Sequence, residues 1–300
     1  MSVVSGAAST GGGVNLVLAA RPRDLGGFAV RRTLPSAQRR LVGPFIFWDH
    51  LGPVAFEPGK GMDVRPHPHI GLATVTYLFE GELVHKDTLG SDQSIQPGAV
   101  NWMSAGRGIA HSERTGSDVR SRGSRAHGIQ SWVALPLDCE ESQPHFEHHA
   151  AKAIPETSRE GVHLRILAGT AYGLKAPARI ASPTLYVEAI MPAGARLVLP
   201  EEHEERAAYV VDGQAECAGA VIEEADMAVV APLTEAVLTA RRPSRIMLLG
   251  GARLEGPRHI WWNFVSSSEK RIERAKADWS QGAFGRIPGD SVEFIPLPEQ

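Results

Sequence analysis

The feature that most narrows what this chain can fold into is its punctuation. Thirty-one glycines and 21 prolines are spread along it and leave only short apolar runs between them. Such runs are Ala73–Phe79, Leu164–Leu167, Thr184–Ile190, Ala207–Val211, Met227–Val230 and Arg245–Leu249, and Val, Ile, Thr and Tyr are frequent in them. β-Branched and aromatic side chains fit a pleated surface, while glycine and proline fit the turns between strands. The spacing predicts an all-β sandwich or barrel. Helical periodicity occurs in one place. Ser266 and Glu269 have capping-box spacing, Ile272, Ala275 and Trp279 recur on one face, and Gly282 supplies a stop. A short C-terminal helix is expected at about 267–281.

Three hundred residues favour two domains over one. A weak internal repeat points the same way. Tyr77-Leu-Phe-Glu-Gly81 resembles Tyr209-Val-Val-Asp-Gly213. A proline and a histidine precede each (Pro66 and His69; Pro200 and His203), and a turn-like break follows each (Gln96-Pro-Gly98; Glu224-Ala-Asp226). Duplicated β-units predict two tandem β-barrels, with the boundary inside the polar stretch 145–160. Residues 1–20 are Ser/Gly-rich and lack a charged segment followed by a long apolar core. They are expected to be a flexible tail and not a signal peptide. Residues 21–150 then form the first barrel and 151–300 the second.

Composition excludes several functions. With 43% hydrophobic and 22% charged residues and a formal net charge of -3, there is no basic stripe for nucleic acid or an anionic membrane. No run approaches the roughly 18 apolar residues of a membrane span. Arg114, Arg120, Arg122 and Arg125 cluster among glycines and serines, as in a solvated loop. Cys139 and Cys217 lie far apart without CxxC spacing. That argues against a disulfide scaffold or a thiolate zinc site and fits a reducing cytoplasm.

The chemistry lies in the histidines. His67 and His69 stand at i and i+2, which in an extended segment puts both imidazoles on one face. Forty-four residues after His67 comes His111-Ser-Glu113, a second i, i+2 pair, with hairpin signals at Glu80-Gly81 and Pro97-Gly98 between. Together they offer three nitrogens and one oxygen, a set that suits Fe(II), Ni, Cu, Mn or Zn and not Ca or Mg. Gly106 and Gly108 are expected to shape the backbone before His111. His145, His148 and His149 sit in the expected linker, and His203 among four glutamates is expected in solvent. Trp102, Met103, Phe45, Phe47 and Trp48 are expected in the core.

Longer blocks add a resemblance. Val30-Arg-Arg-Thr-Leu-Pro35, Val42-Gly-Pro-Phe-Ile-Phe-Trp-Asp49, His67-Pro-His-Ile-Gly71 and Pro97-Gly-Ala-Val-Asn-Trp-Met-Ser-Ala-Gly-Arg-Gly-Ile-Ala-His-Ser-Glu113 resemble the pirin family of the cupin superfamily. The likeness continues in Gln130-Ser-Trp-Val133, Pro144-His-Phe-Glu-His148 and Trp261–Val265. It implies a bicupin, two tandem jelly-roll barrels, with one iron-type metal in the N-terminal barrel held by His67, His69, His111 and Glu113. The second barrel is then metal-free. The general cupin pattern often has a glutamate four residues after its second histidine; here that position is Ala73, expected to widen or de-polarise the metal surroundings. The resemblance implies a quercetin 2,3-dioxygenase-type enzyme using Fe(II), dioxygen and a flavonol or similar aromatic, with Glu113 also a general base. The alternative it implies is a redox-sensing regulator acting through a protein partner.

Overall fold

The computed structural model describes residues 13–25 and 27–299. Two barrels are present, each a large antiparallel sheet closed by a small one, followed by one helix. The first large sheet runs in the order His145–His149, Val100–Ser104, Leu72–Glu80, Ser124–Ala134, Phe45–Phe56, Ala29–Leu34, Arg21–Asp24. Its small partner sheet is Asp63–His69, Ile109–Arg114, Leu83–Asp87, Asp92–Ile95. The second barrel repeats the plan around Glu205–Asp212, Ser244–Gly251, Thr184–Met191 and Val162–Ala171.

The central strands of the first large sheet are buried on both faces, and alternation divides their side chains. Ala73, Val75 and Tyr77 join Phe45, Trp48, Ile129, Tyr186 and Tyr209 in a core between the two large sheets. Trp48 contacts Phe45, Tyr186 and Tyr209 with ring centroids 6.2, 5.7 and 5.4 Å apart. Thr74, Thr76 and Leu78 take the opposite face and line the first barrel's interior. Ala73 therefore faces the second barrel, and its expected effect on the metal surroundings is not found. The second barrel's interior is filled with Val, Leu, Ile, Ala and Met side chains.

The sequence repeat is visible as geometry. Tyr77 and Tyr209 sit on corresponding strands, both buried. The glycines that close the two motifs, Gly81 and Gly213, have φ of +95° and +93°. A Cβ at Gly81 would lie 2.2 Å from the Arg125 carbonyl oxygen, so no side chain fits.

Four expectations are corrected. Val14–Ala19, expected within the tail, is a strand paired with Asp226–Val230 of the second barrel; residues 1–12 lie outside the described residues. His145–His149, expected in the linker, extends the first barrel's sheet alongside Val100–Ser104. The arginine loop holds a six-residue helix, Ser117–Arg122, and three of its four arginines are in ion pairs: Arg120 with Asp63, Arg125 with Glu80, and Arg114 with Asp63, Asp290 and Glu293, while Arg122 donates to the Asp118 carbonyl. His203 is buried, 2.8 Å by its Nε2 from the Thr170 carbonyl. Glu201, Glu202 and Glu204 stay in solvent around it, because His203 and Glu205 point inwards.

The C-terminal helix is Glu269–Ser280, with Ile272, Ala275 and Trp279 as its buried face. Its N-cap is Ser268, without a side-chain cap bond. Ser266 ends a strand instead, where its hydroxyl donates to Glu140 and accepts from the Ser268 amide. Beyond the helix the chain returns to the first barrel. The Ile295 amide donates to the Pro66 carbonyl at 2.8 Å, and Arg114 binds Asp290 and Glu293. Among the described residues, no helix is long and apolar enough to cross a membrane.

Between the barrels lies a buried imidazole, His50. Its Nε2 accepts from Arg31 at 3.2 Å and meets His127 Nε2 at 2.8 Å, and its Nδ1 meets the Tyr209 hydroxyl at 2.8 Å. Burial, reinforced by Arg31 and His127, pushes its pKa down to about 2. Below about pH 6.5 the unfolded chain takes up a proton here that the folded chain refuses. Stability is intact above that pH and falls below it, by about 2 kcal/mol from His50 alone on reaching pH 5. Urea midpoints at the two pH values should show the loss, and His50→Gln should flatten it. Equal slopes in both proteins would contradict this assignment.

Candidate metal centre

The histidines converge through the pairing of Asp63–His69 with Ile109–Arg114. His111 stands directly opposite His67, and Ile109 opposite His69. Alternation puts His67 and His69 on one face, and cross-strand pairing adds His111 to it. Asp63–His69 is the edge strand of its sheet, the place where Pro66 and Pro68 are tolerated despite their missing amide hydrogens. Gly106, at φ +48°, belongs to the tight turn before His111; a Cβ there would lie 2.1 Å from the Ser142 carbonyl oxygen. The backbone role expected of this glycine is what the structure shows. Arg107 is exposed.

One donor atom from each of His67, His69 and His111 lies within 4.8 Å of the others, the one such trio of metal-competent residues among the described residues. His69 Nε2 and His111 Nε2 are 3.1 Å apart. The rings are 6%, 1% and 1% exposed, so the cluster is cut off from bulk water. His67 Nδ1 is 2.8 Å from the Arg65 carbonyl, and His69 Nδ1 is 3.2 Å from the Asn263 carbonyl. A carbonyl only accepts, so both Nδ1 atoms carry the proton and both Nε2 atoms present a lone pair. Burial lowers all three pKa values, those of His69 and His111 well below the ordinary range, with His67 adding to the effect. Neutral, buried imidazoles with free Nε2 atoms fit a first-row transition ion.

Glu113 is placed differently. The register shifts between His111 and Glu113, which falls opposite Val64. Its carboxylate is not among the atoms clustered within 4.8 Å. It accepts instead from the Thr76 hydroxyl at 3.0 Å and from Gln130 Nε2 at 2.6 Å, two residues that face each other on adjacent strands. It borders a cavity of about 50 Å³ whose wall is mostly apolar, including Phe28, Leu51, Met62, Leu78 and Leu83. Asp49 also lines this cavity, held by both oxygens to Arg32 at 2.7 Å. Trp132 packs against His69 with centroids 5.2 Å apart and stacks on Phe47 at 3.9 Å.

Sequence reasoning overlooked Thr76, Gln130, Trp132 and the pair His85 and Asp87. His85-Lys-Asp87 has the same i, i+2 spacing that drew attention to the other pairs, and that signal was available. His145, His148 and His149 do not gather at the centre. His148 Nδ1 pairs with Asn101 Oδ1 at 2.7 Å, and His149 Nε2 with Glu147 at 3.0 Å.

Comparison with known proteins settles the family. Residues 27–133 match Pirin, and residues 186–285 match the Pirin C-terminal cupin domain. This chain is a member of the pirin family. A pirin-like protein of Caulobacter vibrioides is 51% identical over 289 residues, covering 95% of this chain and 100% of that one. A Pseudomonas aeruginosa protein provisionally named quercetin 2,3-dioxygenase is 39% identical, covering 91% and 87%. Among solved structures, a quercetin 2,3-dioxygenase from Acinetobacter baumannii superposes with a TM-score of 0.88 at 33% identity, covering 95% of each chain. The expected bicupin architecture of pirins is thus present, and the three-histidine cluster lies in the barrel that carries the Pirin match.

Proposed function

We propose that this pirin is a metal-dependent ring-cleaving dioxygenase of the quercetin 2,3-dioxygenase type. Its ion, Fe(II) ahead of Ni, Cu, Mn or Zn, is held by His67, His69, His111 and Glu113. The observation that carries the reading is the convergence of three buried imidazoles, with Glu113, two residues beyond His111 on the same strand, bordering an apolar cavity. The names of the Pseudomonas and Acinetobacter relatives support it. When bound, the ion supplies Lewis acidity and a template for an oxygenated aromatic and dioxygen.

The chain's own residues do the rest. Phe28, Leu51 and Leu78 exclude water, and Gln130 and Thr76 aim the Glu113 carboxylate. Glu113 takes the proton of the flavonol hydroxyl as general base. The cavity holds only about three or four waters as it stands, so a flavonol needs it to widen. The free cysteines Cys139 and Cys217 support a cytoplasmic setting.

Metal-loaded protein should consume dioxygen when quercetin is added and release one carbon monoxide per ring cleaved. A dioxygen electrode and a carbon monoxide assay read both. No uptake across a panel of flavonols and catechols would sink the reading.

One observation favours a second reading, a redox-sensing regulator. Arg114 follows Glu113 directly and is tied to Asp290 and Glu293 of the C-terminal segment, which links the centre to the surface. Partner capture that differs between Fe(II) and Fe(III) protein, without turnover, would select it.

A further inference from the structure

Behind His111, on the side away from the cluster, two further residues form a line. His111 Nδ1 is 3.3 Å from His85 Nδ1, and His85 Nε2 is 3.0 Å from Asp87 Oδ2. Strand pairing builds the line, since His111 stands opposite Asp87 and Glu113 opposite His85. His85 is 3% exposed and Asp87 0%. Phe146 stacks on the His85 ring with centroids 4.3 Å apart and planes 11° apart, which fixes the ring's plane. The other carboxylate oxygen, Asp87 Oδ1, accepts from the Leu89 amide at 2.9 Å and the Ser91 amide at 3.0 Å.

We propose that Asp87 and His85 are positioning residues that set the tautomer of His111 and so prepare its Nε2 for the metal. The reasoning follows the protons. A carboxylate only accepts, so His85 Nε2 carries the proton shared with Asp87 Oδ2, and in the neutral ring His85 Nδ1 is a lone pair. That lone pair requires a donor, and His111 Nδ1–H is the group that faces it. His111 Nε2 is then unprotonated, 3.1 Å from the equally unprotonated His69 Nε2. Three lone pairs converge with no proton among them, an arrangement that a bound cation relieves. The carbonyls of Arg65 and Asn263 fix His67 and His69, and the pair His85 and Asp87 does the same for the third ring.

This inference rests on the ligand reading above, and its test separates the two. Asp87→Asn is the deciding variant. Because Oδ1 already receives two amide hydrogens, the asparagine keeps its oxygen there and turns its NH₂ towards His85. His85 must then accept at Nε2 and donate at Nδ1, and His111 is left protonated on Nε2. In metal-free protein, ¹⁵N spectra of the rings should show the His111 proton move from Nδ1 to Nε2. Zinc(II) affinity, measured by chelator competition, should fall by about 10- to 100-fold.

A second pair guards against misfolding of that variant. His85→Gln can still accept from His111 and donate to Asp87, and should keep the parent's zinc affinity; His85→Leu should lose it. An unchanged His111 tautomer in Asp87→Asn, or equal affinities in the two His85 variants, overturns the proposal. A parent that binds no zinc overturns the ligand reading instead, and the spectra still decide the tautomer.

Discussion

Changing both His67 and His111 to alanine should leave the purified protein without stoichiometric metal. Apparent binding free energies at four-ligand protein sites run to about 10–16 kcal/mol, or about 3 kcal/mol for each ligand. Losing two ligands then weakens binding by about 6 kcal/mol, on the order of 10⁴-fold. Elemental analysis of the variant, with chelator competition on both proteins, reads this directly. The metal-free variant should remain folded, because it loses two buried imidazoles that had to stay neutral rather than any part of the apolar core. Stoichiometric metal in a folded double variant would end the assignment of the centre.

Glu113→Ala is expected to lower turnover by about 10²- to 10⁴-fold, the usual range for removing a positioned base. In the folded chain its carboxylate binds Thr76 and Gln130 and lies outside the tight histidine cluster. Two measurements therefore separate its roles. If it acts as base, turnover stays low when metal is restored to full occupancy. If it acts only as ligand, saturating metal returns the activity. Parent-level turnover in the variant without added metal would eliminate both roles.

The sequence made the centre legible because its logic is local. An i, i+2 pair on a strand shares a face wherever the strand lies, so His67 with His69 needs no knowledge of the fold. The duplicated Tyr…Gly motif revealed the doubled barrel for a similar reason: a tight positive-φ turn at Gly81 and Gly213 can be met only by glycine. What stayed hidden depends on contacts distant in sequence. Thr76 and Gln130 meet Glu113 across 37 and 17 residues, and Asn263 reaches His69 across 194. His203 misled because its neighbours are glutamates, although alternation turns it away from them. Ala73 misled because a motif position was read without asking which sheet face it occupies.

The two ends of the chain have exchanged places. Val14–Ala19, which precedes the first barrel's strands, completes the second barrel's sheet, and the segment around Asp290–Ile295, which follows the second barrel's strands, lies on the first barrel. During synthesis Val14–Ala19 cannot pair until Asp226–Val230 has been made, and the first barrel gains its contact with Ile295 later still. The opening strand must wait more than 200 residues for its partner Asp226–Val230, a closure with a large entropic cost. A nick in the connection near 150 would not release two free halves, since each half would still hold a piece of the other.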